Sequence, residues 1–347
     1  MKKGYFVQKT KMMHIDTPSR NPVLDNAKFL MIFVVVFGHC LEPFIKSIPS
    51  FKALYNFIYS FHMPVFIMIS GMLSSEVFNS NTLKKHIRTL LIPFIVFTVI
   101  YESWHYLLFS NASWYIKELL PHWILWFLPS LFFWRLLHPL VTKIPAFFVL
   151  SILLSLSIAT IPEGIKTFGF LRTFYFWPFF LLGYQFKPIL IKFMNSSSKG
   201  KVPAWGVVIT SLIGFLWFGD FNYKIFYGSQ TYLNLDQTVL VGIFYRLIIY
   251  LISFLTCISI IAIIPKEIPV PNNWKKNTLY VYLWHGLLTK IFKDMKVFDT
   301  ISTWNIFGVF ITLTILSILL TVAFSTQLVS SFTERLLFKP FRRLLKI

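Results

Sequence analysis

Residues 24–44 read LDNAKFLMIFVVVFGHCLEPF, an apolar run that nonetheless carries Asp25, Lys28, His39 and Glu42. Lys28 and His39 are eleven residues apart. On an α-helix that is three turns plus about 20° of rotation, so both project from one face, roughly 16 Å apart along the axis. An ionisable side chain inside a bilayer-spanning segment costs on the order of 2.5–3.5 kcal/mol even on lenient insertion scales, and it faces a protein interior or a wet cavity. The expectation is that the rest of the chain builds such a cavity.

Outward from this stretch the composition agrees. Of 347 residues, 56% are hydrophobic, 19% aromatic and only 13% charged, and the mean hydropathy is +0.67. A water-soluble domain of this length needs more polar surface, so the chain reads as an all-α polytopic integral membrane protein. The net charge of +20 does not signal nucleic acid, because the Lys and Arg residues sit between apolar runs and form no basic domain. They read as orientation signals and as contacts with anionic lipid head groups. Cys40 and Cys257 both lie inside apolar runs, which indicates no disulfide framework and leaves the redox compartment open. The first twenty residues are basic without an apolar core, so no cleavable signal peptide is expected and the first helix would be retained as a signal anchor.

A hydrocarbon core of roughly 30 Å demands about 20 apolar residues per crossing. About ten stretches qualify, near 24–46, 53–77, 90–110, 122–142, 145–161, 168–187, 203–219, 238–264, 277–293 and 304–330. Basic residues fall in alternate connections: the N-terminus, Lys84, Lys85 and Arg88, then Lys187 to Lys201, Lys266 to Lys276, and the tail from Arg335. By the positive-inside rule that side is the cytoplasm, with both termini inside. Lys290, Lys293 and Lys296 fit this poorly, falling in an expected outside loop. The organisation expected is a basic cytoplasmic segment over 1–23, a membrane domain over 24–330 and a basic cytoplasmic tail over 331–347. No fixed-period repeat is present.

His39 is the first candidate for chemistry, since imidazole takes and returns a proton near neutral pH. Glu42, one turn on, would hold the ring in one tautomer. In the stretch 61–75, FHMPVFIMISGMLSS, Pro64 is expected to interrupt the helix ladder, Gly71 to permit close approach of a neighbour, and His62 stands just before both. In 83–93, LKKHIRTLLIP, three cations and a histidine run into a membrane helix, a composition that suits either lipid anchoring or the phosphates of a nucleotide-containing cofactor. Arg135 lies near the cytoplasmic end of the aromatic run WILWFLPSLFFWRLL at 123–137. Arg172, Arg246 and His285 also lie in or beside apolar runs, with Tyr282 one turn before His285, and together they argue for a hydrated interior. The loop 219–237 mixes aromatics with short polar side chains, which suits a solvated loop or contact with a sugar. No metal site is expected, because no HExxH-like ligand spacing occurs, and neither a GxxxxGK loop nor a GxSxG turn is present.

LDNAKFLMIFVVVFGH, FHMPVFIMISGML, the basic run into LLIPF, LWFLPSLFFWRLL, FWPFFLLGY and YVYLWH occur in that order. This set resembles the acyltransferase 3 family of integral membrane acyltransferases, closest to the fucose acetylase-like branch that O-acetylates cell-surface sugars. The family's Arg or Lys, ten residues, then His matches Lys28 and His39. Its basic cluster after the second helix matches Lys84, Lys85 and Arg88. The resemblance implies acetyl-CoA as acyl-donor substrate at the cytoplasmic face of the cell membrane, held by Arg88, Lys84 and Lys85 with Arg135 as helper. It implies as acceptor a hydroxyl on an envelope glycan or its lipid-linked precursor. His39 would then act as general base and Lys28 would stabilise charge near the donor, with Tyr282 and His285 as second candidates. The sequence departs from some members in lacking an extracytoplasmic hydrolase-like domain. A secondary transporter or flippase with a path lined by Lys28, His39 and Arg246 is the alternative from another class, although no related halves are evident. An inactive assembly subunit is a third.

Overall fold

The computed structural model describes residues 21–74, 79–141, 144, 146–161, 169–218 and 221–344. The basic residues of 1–20, with Lys166, Asp220 and Lys346, lie outside them. Among the described residues there is no strand, and ten helices of 12 residues or more precede a last helical run over 327–344 that passes through a π-turn. They are α1 (Pro22–Leu41), α2 (Pro49–Met72), α3 (Ser80–Phe109), α4 (Phe127–Val141), α5 (Phe147–Ile158), α6 (Phe170–Gln185), α7 (Val202–Trp217), α8 (Val239–Ile263), α9 (Thr278–Asp294) and α10 (Ile306–Ser325). The runs containing α1, α2, α3, α7, α8 and α10 are long and apolar enough to cross a bilayer. Large apolar side chains face outward along them, Leu107 at 77%, Trp217 at 81% and Leu240 at 81% exposure. So much apolar surface on a monomer is stable only against lipid. The chain is an all-α polytopic membrane protein.

Local chemistry sets the helix ends. Asn21 caps α1, its Oδ1 accepting from the Val23 amide at 3.0 Å. Pro22 in the first turn brings a fixed φ where no amide partner is needed, and Asp25 meets the positive end of the helix dipole. The helix stops at Leu41, short of the expected 46. Pro43 has no amide to continue the ladder, and Glu42–Phe44 form a single tighter turn. That turn brings Glu42 back toward His39. Pro64, by contrast, is carried inside a continuous α2.

α2 is the central helix, packed on α1, α6, α7 and α8. It crosses α6 at two glycines. A Cβ at Gly71 would collide with the Phe180 carbonyl oxygen, and one at Gly183 with that of Met68. Only residues without a side chain let the two backbones meet.

Hydrogen bonds between connections show which ends share a side. The Asn26 amide donates to the Lys266 carbonyl, Lys266 Nζ to the Asn195 carbonyl at 3.5 Å, and Arg342 Nη2 to the Arg88 carbonyl at 3.3 Å. The Lys- and Arg-rich connections therefore gather at one end of the bundle. At the other end Asn56 donates to the Phe221 carbonyl, the Tyr232 amide to the Ala159 carbonyl, and Trp104 Nε1 to Asp294 Oδ2 at 3.0 Å. Lys290, the awkward cation of the sequence pattern, is neutralised there by Asp294 at 3.0 Å.

Candidate active site

The expected span 122–142 becomes helical only from Phe127. The residues before it, with Trp123 at a φ of 22°, bend inward as the roof of a cavity of about 360 Å³. The segment is braced from below. Glu102 of α3 accepts from the Ser113 amide at 2.8 Å and contacts His122 Nε2 at 3.0 Å. Ser113 Oγ approaches the same nitrogen at 3.4 Å, so the three form a brace and not a proton relay, which needs both ring nitrogens. Burial pushes His122 below its ordinary pKa, against the pull of Glu102.

His39 lines the cavity from the last turn of α1. Its Nδ1 lies 3.5 Å from Glu42 Oε2 and 3.3 Å from the Tyr59 hydroxyl, while the Trp123 ring stands 4.6 Å away, centroid to centroid. A carboxylate can only accept, so it favours the tautomer with the proton on Nδ1 and leaves Nε2 with a lone pair. His285 of α9 is fully buried, with its ring 5.6 Å from that of His39. It donates from Nδ1 to the Val281 carbonyl at 2.8 Å, so its Nε2, which has no partner, is also a bare acceptor. His62 repeats the pattern from α2, Nδ1 to the Ile58 carbonyl at 2.9 Å. Tyr282 lines the cavity and donates its hydroxyl to the Ile124 carbonyl.

Arg172, on the first turn of α6, enters from the far wall. Its Nη1 donates to the Trp123 carbonyl at 3.0 Å, and its guanidinium stands 5.3 Å from the Trp126 ring centre. Tyr227, Ser229 and Gln230 close the remaining side from the loop before α8. Lys28 does not line this cavity. It sits at the other end of α1, its Nζ 2.8 Å from Asp25 Oδ1.

A second cluster lies at the basic end. Lys84 and Lys85 are exposed on the first turns of α3, and Arg88 is exposed where the helix widens into a π-turn, Ile87–Leu91. That turn packs against α4, which carries Arg135. His86 lies within electrostatic range of both Arg135 and Lys85. Arg135 Nε and His86 Nδ1 are buried without a hydrogen-bond partner. The uncompensated Arg135 Nε–H beside exposed cations suits an anionic group. No group of three metal-ligating side chains occurs among the described residues.

The model of the acyltransferase domain of type 3 matches residues 21–326. The chain belongs to the acyltransferase 3 family. Among curated proteins, nodulation protein NolL of Sinorhizobium fredii (strain NBRC 101917 / NGR234) is 29% identical over 207 residues, 53% of this chain and 53% of that protein. The chain thus spans about half the length of the curated relative it matches. No solved structure matches. The fold of this acyltransferase 3 family member brings His39, His285 and Tyr282 to one place and Lys84, Lys85, Arg88 and Arg135 to another. Sequence reasoning passed over Tyr59 and Trp123 at this cavity. The signal for Tyr59 was in YNFIYSFH, residues 55–62, where Tyr55, Tyr59 and His62 follow helical spacing onto one face.

Proposed function

We propose that the protein transfers an acetyl group from cytoplasmic acetyl-CoA to a hydroxyl of a cell-envelope polysaccharide or of its lipid-linked precursor. The observation that carries this reading is the pairing of His39 with Glu42 at an aromatic cavity in a chain of the acyltransferase family. Glu42 holds the Nδ1 proton, and the Nε2 lone pair takes the proton of the acceptor hydroxyl as its oxygen attacks the thioester carbonyl. The Tyr59 hydroxyl also meets Nδ1 and helps fix the ring. The leaving thiolate of CoA then recovers a proton, and the imidazole returns to its neutral form.

The basic end is read as the cytoplasmic face of the cell membrane. There Arg88, Lys84 and Lys85 meet the phosphates of CoA, and Arg135 donates its free Nε–H to them; that unpartnered Nε supports an anionic occupant. Lys28 lies along the way from that face to His39, and its ammonium is read as a counter-charge for the donor. His285, its ring 5.6 Å from that of His39, is through its unpartnered Nε2 the candidate second acceptor of a proton, and Tyr282 frames the reacting carbonyl. Residues 24–330 are the catalytic domain in this reading, with 1–23 and 331–347 as basic segments on lipid head groups.

With purified protein and labelled acetyl-CoA, His39→Ala is expected to abolish both acetyl transfer and CoA release while leaving CoA binding intact. Transfer close to the wild-type rate would remove His39 from the mechanism.

A further inference from the structure

We infer that Arg172 is a recognition site for an oxyanion, a carboxylate or a phosphate, borne by the acceptor sugar. This rests on the acetyl-transfer reading and narrows it to an acidic acceptor.

Arg172, on the first turn of α6, and Arg246, inside α8, are satisfied differently. Arg246 donates to the Ser155 and Gln230 carbonyls at 2.7 and 3.3 Å and lies between the Tyr175 and Tyr232 rings, both at 5.0 Å. It is a structural tie. Arg172 has one carbonyl and one ring face, its Nε is buried without a partner, and no carboxylate among the described residues lies within 4.0 Å of it. The carboxylate that shares its cavity, Glu42, is turned to His39. A guanidinium taken out of water without a counter-charge is costly, and the cost is relieved when an anion arrives with it. Its planar fork suits the two oxygens of a carboxylate or phosphate.

The rest of the lining explains why that anion belongs to a sugar. Tyr59, Trp114, Trp123 and Tyr227 offer flat apolar faces for the C–H faces of a pyranose, and their polar edges suit its hydroxyls. The volume exceeds what an acetyl group needs and falls in the range of small-ligand pockets. The CoA phosphates are excluded as the occupant by the position of the cavity, roofed by connections from the end opposite Lys84, Lys85 and Arg88.

Tryptophan fluorescence of the purified protein reads occupancy directly, because Trp123 and Trp126 flank Arg172. Three probes are titrated: methyl glucuronoside, its uncharged amide, and glucose 1-phosphate. The acid or the phosphate is expected to bind about tenfold more tightly than the amide, the value of a charge-assisted hydrogen bond, and the tighter of the two identifies the source of the oxyanion. Arg172→Gln should erase the preference and Arg172→Lys should keep part of it, which separates recognition from misfolding. Binding of the amide by the wild type as tight as that of both the acid and the phosphate overturns the inference, as does a preference that survives in Arg172→Gln. So does an equal fall in acetyl transfer to acid and amide with unchanged binding, which would put Arg172 at the reacting carbonyl. Failure of the acetyl-transfer reading looks different: the binding preference stands, yet no labelled sugar forms from acetyl-CoA.

Discussion

At the scale of single residues, the contrast between His39 and the two imidazoles nearest it, His62 and His285, separates catalysis from packing. His62 and His285 each direct Nδ1 to the carbonyl four residues earlier on their own helix, the ordinary way to satisfy a histidine in a bundle. His39 has no such backbone bond among its contacts and meets a carboxylate and a phenol instead. Loss of a general base removes roughly 10²- to 10⁴-fold in rate, so His39→Ala should fall in that range or below detection in an acetyl-CoA assay. Glu42→Gln keeps the shape but no longer enforces one tautomer. It is expected to slow transfer by at least about tenfold, the value of one charge-assisted hydrogen bond, without changing affinity for CoA measured by calorimetry. Tyr59→Phe removes one neutral hydrogen bond worth about 1 kcal/mol and should cost only a few-fold. If Tyr59→Phe proves as damaging as His39→Ala, the phenol carries chemistry of its own.

At the scale of helices, much of the architecture was legible because a bilayer imposes one strong rule on sequence. Each of the ten expected apolar stretches corresponds to a helix of the described chain, and the departures fall where proline or aromatic residues intervene. Pro43 shortens α1, and the Trp-rich start of the 122–142 stretch leaves the helix to roof the cavity. Hydropathy cannot distinguish a tryptophan facing lipid from one facing a ligand, so that roof was hidden. Lys28 illustrates a different limit. Helical spacing fixes the direction in which a side chain projects but not what stands in front of it, and eleven residues carry Lys28 about 16 Å from His39, to the opposite end of α1. The meeting of α2 and α6 was partly visible as Gly71, whereas its partner Gly183 gave no signal until the two backbones were seen together. Gly71→Ala or Gly183→Ala forces a methyl group against a carbonyl oxygen. Each is expected to destabilise by about 1–3 kcal/mol, read as a lower thermal midpoint in detergent, while a remote glycine change such as Gly214→Ala, where a Cβ meets nothing, leaves it unmoved.

At the scale of the whole molecule, the two clusters occupy opposite ends of the bundle, and that separation has a measurable consequence. Arg88 and Arg135 belong to the basic end, so Arg88→Ala and Arg135→Gln should weaken CoA binding and leave binding of a sugar at the Arg172 cavity unchanged. An unaltered CoA affinity in both variants would remove the basic cluster from donor recognition. Sidedness is tested in sealed vesicles. Cys40 and Cys257 are both fully buried, so a membrane-impermeant maleimide has little background, and Lys84 and Lys224 are exposed at the two ends. Lys84→Cys should be labelled only from the face on which acetyl-CoA is consumed, and Lys224→Cys only from the other. Labelling of both from one face would contradict the arrangement, because the Arg342 to Arg88 and Asn56 to Phe221 hydrogen bonds anchor those two connections to opposite ends of the helices they join.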